Sequence, residues 1–156
     1  MDLTKLSLLE ASSLLARQEI SAEELAGAYL KRIDALEPQL NCFITVTAEL
    51  ALAQAREADR ALKEGRRLGP LHGIPIALKD LFETRGVRTT AGSKILSGYV
   101  PDADCAVYRK LRLAGAVLLG KTNMHEWAYG VTSQNPHYGP VRNPWDPTRI
   151  AGGSSG

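Results

Sequence analysis

Cysteine is scarce in this sequence: Cys42 and Cys105 are the only two. Two thiols do not make a disulfide framework, and they read as reduced cysteines of a cytosolic protein. No apolar run is long enough to cross a bilayer, which excludes a transmembrane helix. The opening Met1-Asp2-Leu3-Thr4-Lys5 has one basic residue and no sustained apolar stretch, so no secretory leader is expected. An excess of one charge is also missing. Lys and Arg number 19 and Asp and Glu 17, a formal net charge of +2. Such a balance makes no nucleic-acid or membrane-surface field. Aromatic residues are 6% of the chain and are not interleaved with basic ones, so no base-stacking surface is expected either. The three histidines, His72, His125 and His137, have no second His or Cys at ligand spacing, and His125-Glu126 lacks the second histidine of HExxH. A metal site is not expected, and the three imidazoles read as ordinary hydrogen-bonding groups.

What is present is enough for one domain with a sizeable core: 156 residues, 44% of them hydrophobic. Residues 1–64 read as a helical layer. Ser7 with Glu10 and Ser21 with Glu24 are capping boxes, each followed by apolar residues at helical spacing. Leu25, Tyr29, Ile33 and Leu36 form the stripe of the second helix, which Pro38 should end. Phe43, Ile44 and Val46 suggest a short strand. Thr47 should cap a third, alanine-rich helix to about Lys63, with Gly65 closing it.

Residues 65–156 change character and read as the first part of an α/β core. Ile74, Ile76, Ala77 and Leu78 form a buried strand, with Pro75 at its start or on an edge. Asp104 to Ala114 reads as a helix with Val107, Leu111 and Ala114 on its apolar face. Gly115 then breaks it before the apolar strand Ala116–Leu119. Helix, glycine and strand in that order are an α/β signature. Asn123 should cap a short helix over Met124–Tyr129. Ser133–Gly156 reads as one long loop, and loops of that length in compact domains are usually functional.

Two places could carry chemistry. Lys79 closes a buried apolar strand, where desolvation lowers a lysine pKa and suits it to act as a base. The bland alternative is a lysine that snorkels to solvent or pairs with Asp80. Gly152-Gly153-Ser154-Ser155-Gly156 is the second: its glycines permit unusual dihedrals, and its N–H groups could hold an anion. It matches neither a phosphate-binding P-loop, a dinucleotide fingerprint nor GxSxG. By composition alone a flexible linker is the simpler reading. A chain ending in Ala151–Gly156 points to a cut within a larger domain.

Four segments in register resemble the amidase signature family. They are Gly73-Ile74-Pro75-Ile76-Ala77-Leu78-Lys79-Asp80, Thr90-Ala91-Gly92-Ser93, Gly120-Lys121-Thr122-Asn123-Met124-His125-Glu126 and Gly152-Gly153-Ser154-Ser155-Gly156. Asn143-Pro144-Trp145-Asp146-Pro147 looks similar too. The resemblance implies an α/β amidase signature fold, a mixed central sheet covered by helices, with only its N-terminal part present. It implies cleavage of a carboxamide C–N bond by a Ser-cisSer-Lys triad through an acyl-enzyme, without a cofactor. Lys79 falls on the family lysine, and Ser154 on the bridging serine, whose bond to Gly153 is cis in the family. Gly153 and Ser155 support that site, and Tyr129 is expected to line the acyl pocket or to pack as a buried aromatic. The nucleophile and oxyanion hole would lie beyond Gly156, so these residues alone should be inactive.

Three functional readings remain. His125 and Tyr129 favour a free-standing amidase acting on a small carboxamide. The alternative is the amidase component of a tRNA-dependent amidotransferase, which releases ammonia from glutamine and works with partner subunits. The third is a truncated or non-catalytic homologue. A homo-oligomer is compatible with any of them.

Overall fold

The computed structural model describes Met1–Gly156 in full. Two compact units interleave along the chain. The first is Met1–Ile33, Thr47–Ile76 and Arg109–Leu119; the second is Asp34–Val46, Ala77–Tyr108 and Gly120–Gly156.

In the first unit, helix α1 (Leu8–Ala16) opens on a complete capping box. The Glu10 N–H donates to Ser7 Oγ at 3.3 Å, and the Ser7 N–H donates to Glu10 Oε2 at 2.8 Å. Helix α2 (Ala22–Leu40) has the same arrangement between Ser21 and Glu24. Its next two free N–H groups, on Ala22 and Glu23, are taken up by the Asp59 carboxylate of helix α3 (Ala48–Lys63). Thr47 precedes α3 but does not cap it through its side chain. Its hydroxyl donates instead to the Leu118 carbonyl at 2.8 Å, tying the helix start to the strand that passes it. Ala51, Ala55 and Ala58 form the buried stripe of α3. Their small size lets it close on Leu15, Leu25, Ile74, Val117 and Leu119. Each buried leucine contributes on the order of 1.5–3 kcal/mol by leaving water.

The second unit begins with the end of α2, where the expected boundary at Pro38 moves. The helix continues to Leu40. Proline there forfeits one N–H in the last turn only. The stop comes from Asn41, whose φ of 54° is left-handed while its N–H still reaches Glu37 O at 2.9 Å. Three strands form the main sheet: β1 (Phe43–Val46), β2 (Pro75–Lys79) and β3 (Val117–Thr122), with β3 in the middle. β1 runs antiparallel to β3, Phe43 opposite Thr122. The β2 partners advance with β3, from Ile74 O with Val117 N to Thr122 O with Asp80 N, so that pair is parallel and the sheet is mixed. Within the first unit, the helices pack on Val117 and Leu119 at the start of β3. Gly120 sits in the central strand because a Cβ there would run into the Thr45 carbonyl and the Phe43 ring.

Three local expectations are corrected. Helix α4 is Ala106–Leu113, not 104–114. Cys105 N–H is committed to Glu83 O, and the Asp104 carboxylate accepts from Arg85 N, which holds both residues outside the helix. The buried residue of α4 is Tyr108 and Val107 is exposed, while Leu111 and Ala114 are half-buried, so the expected apolar face fails at Val107. Met124–Tyr129 is not a helix with an Asn123 cap but a single 3-10 turn at Glu126–Ala128. Met124 and His125 stay extended because their backbone pairs with Ser154 and Ser155. The segment from Ser133 is not one loop either. It holds two small antiparallel ribbons, β4 (Gln134–Asn135) with β5 (Gly139–Pro140) and β6 (Arg142–Asn143) with β7 (Asp146–Ile150). Two-stranded ribbons are all edge, so they tolerate the prolines that hid them in the sequence.

Candidate active site

Lys79 is the last residue of β2, and its Nζ donates to Ser154 Oγ at 2.6 Å. Desolvation in this partly buried position holds the Lys79 amine below the ordinary lysine range. Ser154 is fixed from both sides. The peptide bond from Gly153 to Ser154 is cis, as the resemblance implies. The Ser154 carbonyl accepts from His125 N at 3.0 Å, Ser155 forms a backbone bridge with Met124, and Gly156 N–H reaches Asn123 O. The segment at 123–125 therefore serves as a backbone rail for 154–156. Gly153 is needed for steric reasons: a Cβ would come within 2.7 Å of Thr132 N and 2.8 Å of Ser133 N. The glycine–serine run is thus an ordered part of the second unit rather than a flexible linker.

Lys79 and Ser154 are brought together, and Gly153 and Ser155 flank the serine through backbone geometry. Tyr129 stands differently. It is 90% exposed, so it is not a buried packing aromatic in this chain. The bland pairing of Lys79 with Asp80 does not occur. Side chains alternate across a strand, so Asp80 leaves β2 away from Lys79. Asp80 Oδ2 accepts from Thr90 N at 2.8 Å and Thr90 Oγ1 at 2.5 Å, and Oδ1 faces Lys121 Nζ at 3.4 Å. Lys121 also donates to Thr89 Oγ1 at 2.7 Å. Both members of this ion pair are fully buried. Burial pushes the Lys121 amine down, and the Asp80 charge opposes that push.

The sequence reading missed this pair, and it missed two other networks. Ser93 Oγ donates to Glu126 Oε1 at 2.6 Å, and His137 Nε2 lies 2.9 Å from the same oxygen. The serine bond chiefly, then the imidazole, holds the Glu126 carboxyl below its usual range. Asn135 Nδ2 donates to Gly92 O and Met124 O, fastening the Thr90–Ser93 turn to the 123–125 rail. The available signal for Lys121 was its place in strand alternation, two residues beyond Leu119 and four beyond Val117, both in the core.

The family pattern described as amidase matches residues 24–156 of this chain. The chain belongs to the amidase family. Among curated relatives, a glutamyl-tRNA(Gln) amidotransferase subunit from Acidothermus cellulolyticus is 52% identical over 99% of this chain and 31% of its own length. The corresponding protein of Carboxydothermus hydrogenoformans is 48% identical over 100% and 32%. The native peptide amidase of Stenotrophomonas maltophilia superposes with a TM-score of 0.91 at 38% identity, covering 97% of this chain and 32% of that one. A solved vestigial complex bearing on the origins of an s-triazine catabolic enzyme gives a TM-score of 0.93 at 44% identity, covering 96% and 33%. This amidase-family chain thus spans about a third of the length of the curated relatives it matches. No helix in it is long and apolar enough to cross a membrane.

Proposed function

We propose that the protein carrying this chain cleaves a carboxamide C–N bond by acyl transfer, with Lys79 and Ser154 as its proton relay. The observation that carries the reading is the 2.6 Å contact between Lys79 Nζ and Ser154 Oγ, made by an amine whose charged form is disfavoured by burial. The neutral amine accepts the Ser154 hydroxyl proton as Ser154 takes the proton of a nucleophilic serine. That serine, supplied in the family by chain beyond Gly156, attacks the amide carbonyl. The proton returns through the relay to the leaving nitrogen, and ammonia or an amine departs. Water or an amine acceptor then resolves the acyl-enzyme, with backbone N–H groups stabilising the oxyanion. Gly153 and Ser155 keep the relay serine in register, and Tyr129 is free to line the acyl pocket. No step needs a cofactor.

Identity favours the amidotransferase setting over the free-standing amidase. Curated relatives of 46–52% identity are named as one and the same component of glutamyl-tRNA(Gln) amidotransferase. In that setting the amide is glutamine, ammonia is the useful product, and partner subunits deliver the acceptor. A free amidase acting on small carboxamides is the second reading, favoured by His125 and Tyr129 and by the likeness to a peptide amidase. Purification of the full-length protein from its own cells separates them. The first reading expects partner subunits to copurify and ammonia to be released from glutamine. A protein that purifies alone, ignores glutamine and turns over simple carboxamides contradicts it and supports the second.

A further inference from the structure

Asp80 and Lys121 form an ion pair sealed from solvent, directly beside Lys79 in sequence. A buried charge without a partner is strongly unfavourable, so each depends on the other. The backbone of Asp80 is held as firmly as its side chain. Its N–H donates to Thr122 O at 3.2 Å, and its carbonyl accepts from Ala91 N at 2.9 Å. Lys79 and Asp80 leave the end of β2 on opposite faces, one toward Ser154 and the other toward Lys121. A carboxylate one residue from an amine ordinarily favours that amine's charged form. Here the carboxylate next in sequence, Asp80, is engaged by Lys121 on the far side of the strand.

We propose that Lys121 is a positioning residue for Lys79: it engages the Asp80 carboxylate within the sheet, so that Lys79 keeps a neutral, correctly aimed amine. The inference rests on the reading of Lys79 as the base of the relay. The ionisable groups facing Lys121 are Asp80 beyond β2, Glu83 in the turn that follows and Cys105 before α4. Of these only Asp80 lies within salt-bridge distance. Thr90 N–H and Oγ1 both donate to its Oδ2. If Lys121 is replaced by an uncharged residue, those donors remain and the carboxylate is left without its cation. Lys79 is the next amine along the chain. Its titration midpoint therefore moves up.

The test is the titration of Lys79 followed by NMR of the protein labelled with 13C at lysine Cε. The signal is assigned by its loss in Lys79→Arg. Lys121→Met should raise the midpoint, and the double variant Asp80→Asn/Lys121→Met, which removes both charges, should return it to the wild-type position. Asp80→Asn alone should leave it at or below that position. A Lys79 midpoint that stays unmoved in Lys121→Met, or one raised equally in the double variant, overturns the proposal. The double variant replaces the pair with uncharged groups of similar size and supplies a folded reference. If Lys121→Met does not fold, a midpoint raised in Asp80→Asn overturns the proposal by itself. The relay reading is judged separately, by turnover of the full-length Lys79→Ala enzyme. Near-normal turnover there removes that reading without bearing on what Lys121 does to the Lys79 titration.

Discussion

At the residue scale, the proposed function rests on one amine and one hydroxyl. Lys79 is held below its ordinary pKa by loss of water, and no carboxylate lies within salt-bridge distance to pull it back. The sign of the pH dependence follows. In the proposed relay the neutral amine is the base, so turnover of the full-length enzyme should rise with pH through the Lys79 pKa, on the acid side of where a free lysine titrates. A pH–rate profile with no rising limb below that range contradicts the role. Ser154→Ala would remove the proposed bridge between amine and nucleophile, and turnover should fall by about 10²-fold or more, as expected for loss of a positioned proton-transfer group. Gly153→Ala should be nearly as damaging for a different reason. Its methyl would press on Thr132 N and Ser133 N and displace Ser154, so turnover falls although no reacting group is lost. Circular dichroism of that variant should still show its helices, since the clash is confined to one turn.

At the scale of elements, the helix starts and the strand ends do the positioning. The Ser7–Glu10 and Ser21–Glu24 boxes were legible because their chemistry is local, needing only residues three apart. Ser7→Ala should destabilise the protein by about 1 kcal/mol, measured by urea unfolding. The α2 end was misread because a proline in the last turn costs less than one in the interior, and Asn41 supplies the actual stop. The short helix after Asn123 failed because its backbone had a better partner far along the chain, in the Ser154–Gly156 segment. Local pattern cannot register such a partner. β2 was legible as an apolar run, and so was Lys79 at its end. Lys121 was not singled out, because a lysine after an apolar run usually marks the strand's exit to solvent. The pairing of β3 between two neighbours keeps it inside.

At the scale of the whole molecule, α/β architecture was readable from element order, while the ribbons after Ser133 were not. Their strands are two to five residues long and carry no period to detect. The resemblance to amidases extended the reading to a site that composition alone would have left as a linker. The structure gives that linker a fixed place beside β2. Core integrity rests on close contact between the alanine stripe of α3 and the leucines of α1 and α2. Leu15→Ala should cost about 2–5 kcal/mol, because the surrounding helices cannot fully collapse on the gap. A loss below about 1 kcal/mol in urea unfolding would mean that the packing is looser than described.

In the proposed relay Lys79 draws the proton that starts acyl transfer through Ser154. The most direct test is rapid-mixing measurement of acyl-enzyme formation and ammonia release by the full-length enzyme with glutamine, wild type against Lys79→Ala. The variant should bind substrate but form acyl-enzyme at least about 10²-fold more slowly across the pH range. Acyl-enzyme formation at a near wild-type rate in Lys79→Ala would contradict it.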